Sequence, residues 1–245
     1  NTLKSIRPYT VCAIVKNIKL DSNKIKEIIN IQEKLHSNFC RNRKKAAIGI
    51  YPLDKIKMPI LFTAMSSRKI KFRPLGMNKI MTAKDILDKH PAGKEYGHLL
   101  DGLKEYPVFI DANNNILSMP PIINSEIAGK LTKKSKNLFI ECSGNDINIL
   151  HKCLNIIVTE LADMGAIIES MQIIYPNKRI TSPELHPVKM KLDKEYVSKI
   201  LGLSLDISQI KNLLSKMGIG FADSYALIPA YRTDIIHQID LVEEI

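Results

Sequence analysis

Short apolar runs broken by turn-forming segments set the rhythm of the first 175 residues. Thr10–Val15 (TVCAIV), Ile60–Met65, Pro107–Asp111 (PVFID), Leu138–Cys142 (LFIEC) and Ala166–Ile174 read as strands, and Ala46–Tyr51 (AAIGIY) as a buried one. Between them the spacing turns helical. Ile25, Ile28, Ile29 and Leu35 follow a cap at Asp21 or Ser22; Leu150, Leu154, Ile157, Leu161 and Met164 share a face between a cap in Ser143–Asp146 and a stop at Gly165. Arg68–Arg73 (RKIKFR) alternates basic and apolar residues, which predicts an edge strand with a positive outer face. Thr82 caps a short helix that His90-Pro91-Ala92-Gly93 breaks, and Tyr96–Leu100 predicts a brief helical turn. No strict βαβ rhythm holds, so the expected fold class is α+β, with a mixed or antiparallel sheet and flanking helices.

The stretch Ile116–Glu126 (ILSMPPIINSE) ends a strand on a double proline. Pro120 and Pro121 lack amide donors and fix φ, so the strand must leave its ladder at Met119 and present Asn124, Ser125 and Glu126 at a stiff corner. From Tyr175 the texture changes, with Pro176, Pro183 and Pro187 inside twelve residues. Beyond them Val188, Met190 and Leu192 alternate as a strand. Helices follow over Lys194–Leu201 and, capped by Asp206, over Ile207–Met217. A hairpin over Ile219–Phe221 and Tyr225–Pro229 leads to a last helix starting at Thr233 or Asp234. This predicts two domains, 1–175 and 176–245, the second resembling a winged helix.

Composition adds a partner class. Lys and Arg number 36 against 25 Asp and Glu, a net charge of +11, which favours a polyanion such as nucleic acid. Heavy Lys, Ile and Asn usage offers a compositional explanation for the same excess. Cys12, Cys40, Cys142 and Cys153 have no CxxC spacing and read as reduced, buried thiols of a cytoplasmic protein. No apolar run is long enough for a membrane helix. The chain opens on Asn1 and closes at Ile245 inside an expected helix, so it is expected to be a piece of a longer protein.

Asp240, Glu243 and Glu244 at i, i+3 and i+4 place three carboxylates on one helical face, a pattern that suits either Mg²⁺ or a solvated acidic surface. Asp234 points away from that face on a continuous helix and reads as a cap or a separate loop ligand. Six scattered histidines show no ligand or catalytic spacing, and there is no glycine-rich phosphate loop. Adenylate formation is therefore not encoded here.

The chain resembles the archaeal/eukaryotic-type phenylalanine–tRNA ligase β subunit. The resemblance is carried by Arg7–Ala13, Leu35–Asn38 running into Arg41, Ala47–Asp54, Ile116–Ser125 and Pro229–Ile245, with an archaeal wording at His90–Leu100. It implies an editing domain followed by the winged-helix-like domain, hydrolysing tyrosine mischarged onto phenylalanine tRNA in support of aminoacylation by the full enzyme. The alternative is a non-catalytic fragment for tRNA binding or subunit assembly, using Arg41–Lys45 and Lys130–Lys136. The resemblance further implies a partner α subunit in an α2β2 tetramer. It places the editing pocket on Phe109, Ser118, Asn124, Ser125, Glu126, Glu141 and Ser143, with Ser118 and Glu141 as polar readers and no protein nucleophile. Mg²⁺ positions fall on Asp234, Asp240, Glu243 and Glu244.

Overall fold

The computed structural model describes residues 3–245, which divide into two compact units, the first ending at Pro183 and the second running Glu184–Ile245. The first contains, in order, α1 (Leu3–Ile6), β1 (Tyr9–Lys16), α2 (Ser22–Ser37), β2 (Ala46–Pro52), β3 (Leu61–Ser66), β4 (Lys71–Phe72), β5 (Met81–Thr82), α3 (Ala83–Lys89) and α4 (Pro91–Tyr96). It continues with β6 (Glu105–Ile110), β7 (Ile116–Met119), β8 (Ile123–Asn124), α5 (Glu126–Gly129), β9 (Leu138–Gly144), α6 (Ile147–Asp163), β10 (Ile167–Tyr175) and β11 (Lys178–Ser182). A five-stranded antiparallel sheet runs β11-β10-β1-β9-β2, and a four-stranded one runs β3-β6-β7-β8.

Strand periodicity explains the layering. Val11, Ala13 and Val15 of β1, Ile48 and Ile50 of β2, and Leu138, Ile140 and Cys142 of β9 share a core with α2 and α6. The alternate residues Cys12, Ile14, Tyr51 and Phe139 pack instead with Phe109 and Leu117 of the four-stranded sheet. Val108, Ile110 and Met119 join a third core with Ile86 of α3. The central strands of the larger sheet are thus buried on both faces, which is why they read as apolar runs rather than alternations. The fold is α+β with antiparallel sheets, as expected.

Two expectations change in the first unit. Arg68–Arg73 is not one strand: Ser67–Lys69 forms a turn of 3₁₀ helix and only Lys71–Phe72 pairs, with β5. The division expected after residue 175 falls after Pro183, because Lys178–Ser182 returns as β11 against β10. Beyond the β1–β10 ladder, side chains continue the pairing. The Tyr175 hydroxyl serves both backbone groups of Thr10 at 2.9 Å, and the Ser182 hydroxyl serves both of Cys12 at 2.6 and 2.8 Å.

The second unit comprises β12 (Val188–Lys191), α7 (Lys194–Leu201), α8 (Ile207–Lys216), β13 (Gly220–Ala222), β14 (Tyr225–Ile228) and α9 (Gln238–Glu243) around its own core, which includes Val197, Ile210, Leu214 and Leu241. Its sheet runs β12-β14-β13. Asp206 caps α8 through a reciprocal bond with Gln209, so a three-residue signal sets the helix start. The last helix begins at Gln238, not at Thr233 or Asp234. Among the described residues no helix is long and apolar enough to cross a membrane.

Candidate active site

The double proline turns β7 back into β8, with Ser118 opposite Asn124 and Met119 opposite Ile123. The Pro120–Pro121 peptide is cis. Beside this turn lies a cavity of about 390 Å³, within the range of about 300–1,000 Å³ usual for small-molecule sites. Ile25, Ile29, Ile50, Leu131 and Pro120 supply apolar wall; Gln32, Glu33, His36, Arg43, Asn124, Lys130 and Glu141 supply the polar groups.

α2 forms one wall because it caps an exposed strand edge. β2 is the last strand of its sheet, so the outer backbone groups of Ile48 need partners. The Ile48 N–H donates to His36 Nε2 at 3.0 Å, and Gln32 Nε2 donates to the Ile48 carbonyl at 2.9 Å. With Nε2 accepting, His36 Nδ1 carries the proton and faces Glu33 at 3.3 Å. Burial holds the His36 pKa below its ordinary value, which favours this neutral form.

The opposite wall is fastened by Arg43. Its guanidinium donates to the carbonyls of Pro121 (3.2 Å) and Ile122 (2.9 Å), pairs with Glu33 at 3.1 Å, and stacks 4.1 Å over the Tyr96 ring. Arg41, Asn42 and Arg43 all take positive φ (49, 51 and 65°), a turn that non-glycine residues adopt at a cost of order 1 kcal/mol each. The basic segment read as a nucleic-acid contact thus contributes at least one residue to the pocket's architecture.

The floor is a buried polar cluster between the sheets. Glu141 on β9 is 1% exposed, and its Oε1 lies 3.2 Å from the Tyr51 hydroxyl while its Oε2 has no hydrogen-bond partner. Tyr51 also lies 2.8 Å from Ser118 Oγ and 3.4 Å from Asn124 Oδ1. A Cβ at Gly49 would stand 2.3 Å from the Tyr51 hydroxyl and 2.4 Å from Glu141 Oε1, so glycine keeps that face of β2 clear. Burial, only partly offset by the Tyr51 hydrogen bond and the Arg7 charge, pushes the Glu141 carboxyl up to about 8. At neutral pH it is a protonated acid able to donate as well as accept. Arg7, itself buried, is brought down to about 10 by burial and donates to the carbonyl (2.6 Å) and hydroxyl (3.2 Å) of Ser143.

Of the expected pocket residues, Asn124 and Glu141 line the cavity. Ser118 and Ser143 lie fully beneath the surface, engaged by Tyr51 and Arg7. Phe109 stacks on Phe62 at 4.3 Å in the core between the sheets. Ser125 caps α5 by accepting the Ala128 N–H at 3.1 Å, and Glu126 accepts the Gly76 N–H at 2.8 Å while pairing with Lys130. Tyr51, Gly49, Gln32, Glu33, His36 and Arg43 were not among the expected site residues. Tyr51 had a signal: a hydroxyl inside an otherwise apolar buried strand requires a partner.

The expected metal residues do not gather. Arg232 pairs with Asp234 at 2.7 Å and with Glu244 at 2.5 Å, which fills the space between these two carboxylates with a cation. Asp240 accepts the N–H groups of Ile236 (2.7 Å) and His237 (2.8 Å), and Glu243 is exposed. Among the described residues no group of three or more potential ligands is placed to hold a metal. This arrangement does not fit Mg²⁺.

Comparison with known proteins supplies the family. Residues 190–245 match the tRNA synthetase B5 domain. A crystal structure of an N-terminal fragment of the phenylalanyl-tRNA synthetase β subunit from Pyrococcus horikoshii superposes with a TM-score of 0.95 at 41% identity, covering 100% of this chain and 71% of that one. The chain belongs to the phenylalanine–tRNA ligase β-subunit family. Curated β subunits from Thermococcus gammatolerans and Pyrococcus furiosus are 42% and 41% identical over 99% of the chain. The chain spans 43% and 44% of those two relatives' length.

Proposed function

We propose that the first unit is an editing domain that hydrolyses tyrosine esterified to phenylalanine tRNA. The observation that carries this reading is the mixed character of the cavity: apolar walls ending on Glu141, a buried carboxyl with one oxygen free of any partner. An aromatic ring fits such walls, and only a ring bearing a hydroxyl satisfies the free oxygen. A synthetic site shaped for phenylalanine rejects an added hydroxyl by only on the order of 100-fold. A second site that must hydrogen-bond the hydroxyl discriminates in the opposite sense, because phenylalanine leaves a buried acid unpaired. His36 and Glu33 are committed to Ile48 and Arg43, so neither is a free base, in keeping with hydrolysis by positioning water and ester.

Phenylalanine tRNA, a catalytic α subunit and a cytoplasmic setting follow as partners and place of the full ligase. The Mg²⁺ requirement belongs to that full enzyme too, and no step is assigned to it here. A second reading, docking within the assembly, is favoured for the C-terminal unit by its exposed Val188 (60%), Leu203 (58%) and Ile236 (63%). The test is release of tyrosine from tyrosyl-tRNA(Phe) by this chain, with phenylalanyl-tRNA(Phe) as control. Selective tyrosine release supports editing. Salt-sensitive tRNA binding with no release would reduce the first unit to a binding module.

A further inference from the structure

Tyr51 lies wholly out of solvent and does not line the cavity, yet its hydroxyl touches the two expected site residues that do. The contacts are 3.2 Å to Glu141 Oε1 and 3.4 Å to Asn124 Oδ1, with Ser118 Oγ at 2.8 Å on the far side. Glu141 comes from β9 of the larger sheet, Asn124 and Ser118 from β8 and β7 of the smaller one. One phenolic oxygen therefore joins both sheets at the floor of the pocket. Gly49, two residues earlier on the same strand face, leaves the space that lets these groups meet.

We propose that Tyr51 is a positioning residue of this pocket, fixing the Glu141 carboxyl and the Asn124 amide so that a phenol, and not a phenyl ring, is matched. This role rests on the editing reading above. A tyrosine hydroxyl has one proton and must choose among three acceptors. When Glu141 is protonated it donates to the Tyr51 oxygen, and Tyr51 passes its own proton toward Ser118 or Asn124. When Glu141 is ionised, Tyr51 turns its proton to the carboxylate. Either state holds Oε1 in place and leaves Oε2 for the ligand. The groups facing Glu141 are few: Tyr51 from β2, Cys12 opposite it on β1, the Ser143 hydroxyl from β9 itself, and the Arg7 guanidinium from the segment before β1. The Cys12 thiol is held protonated by burial, so Arg7 is the one charge that competes with Tyr51 for control of this acid.

The experiment compares this chain with its Tyr51→Phe variant, which removes one oxygen from a ring that keeps its packing against Phe139. Each of the two compact units has its own hydrophobic core, so the chain is a suitable object. Two readouts are taken: the ratio of tyrosine to phenylalanine release, and the Glu141 titration by NMR of carboxyl-labelled protein. The expected results are a selectivity ratio lowered on the order of tenfold, the size of one lost hydrogen bond, and a Glu141 midpoint moved upward from about 8, because the Tyr51 bond favours the ionised form. An unchanged ratio overturns the role, as does a fall in both release rates in proportion to lost stability. If the wild-type chain releases neither amino acid while the midpoint still moves, the editing reading fails and Tyr51 is only a tie between sheets. Should Tyr51→Phe not fold, Ser118→Ala frees the hydroxyl from its far-side partner and must lower the same ratio by a smaller factor; no change there overturns the role equally.

Discussion

Two carboxyl sites stand out in this chain, a cluster of acids at the C-terminus and a single buried acid at the pocket floor, and they end in different surroundings. At the C-terminus, Asp240, Glu243 and Glu244 lie close in sequence at helical spacing, but Arg232 and backbone amides absorb most of their charge. At the pocket floor, the single acid Glu141 meets the Tyr51 hydroxyl, which also reaches Ser118 and Asn124 on other strands, and one Glu141 oxygen remains without a partner beside a cavity. Local spacing made the cluster conspicuous and topology made the single acid chemically free. Carboxylates near in sequence are answered by whichever cation lies nearby. A buried oxygen without a hydrogen-bond partner occurs at both places, Glu244 Oε2 and Glu141 Oε2, but of the two it is Glu141 that lines the cavity described above.

Removing Glu141 should have the largest effect. Glu141→Ala is expected to lower tyrosine release relative to phenylalanine about ten- to hundredfold, the value of a hydrogen bond to a buried acid, measured by deacylation of the two charged tRNAs. Arg43→Ala comes next, since it strips the Pro121 and Ile122 carbonyls and leaves Glu33 with His36 as its remaining partner. It should cost about 2 kcal/mol in denaturant unfolding of the first unit and weaken both hydrolysis rates alike.

Acidity sharpens the contrast further. Glu141 keeps its proton in the folded chain up to about 8 but loses it near 4.5 when unfolded. Between these values the folded state binds more protons, so its stability falls as pH rises through the window and levels off above it. Glu141→Gln should flatten that slope, as followed by chemical unfolding across the range. Asp240 behaves oppositely: the Ile236 and His237 amides hold its pKa below the ordinary value, so its contribution is lost on acidification. The smallest effect belongs to the C-terminal cluster. Arg232→Ala should lower stability by about 1 kcal/mol or less, and millimolar Mg²⁺ should leave the wild-type melting temperature unmoved. A rise in melting temperature with Mg²⁺ would show that the carboxylates regroup around the ion.

Much of the fold was legible because its signals are short-range. Asp21, Thr82, Asp146 and Asp206 each cap a helix through amides two or three residues away, and the double proline ends β7 at Met119 as its missing donors require. The strand Lys178–Ser182 was hidden, since its alternation is weak and its partner β10 turns it into sheet. The site was legible only in part. Glu141 and Asn124, two of the residues expected at the site, line the cavity, but the contacts of His36 and Gln32 depend on which edge of β2 lies open, a fact of sheet order. The helix at Thr233 failed for the converse reason: Arg232 draws Asp234 aside, and Asp240 turns back to receive the amides of Ile236 and His237.

The most direct measurement is a crystal structure of this chain with a non-hydrolysable tyrosyl-adenosine amide. The account predicts the tyrosyl ring between Ile25, Ile29 and the double-proline turn, with its phenolic oxygen within hydrogen-bond distance of Glu141. A tyrosyl group bound outside this cavity, or seated in it with the phenol facing solvent and Glu141 untouched, would contradict it.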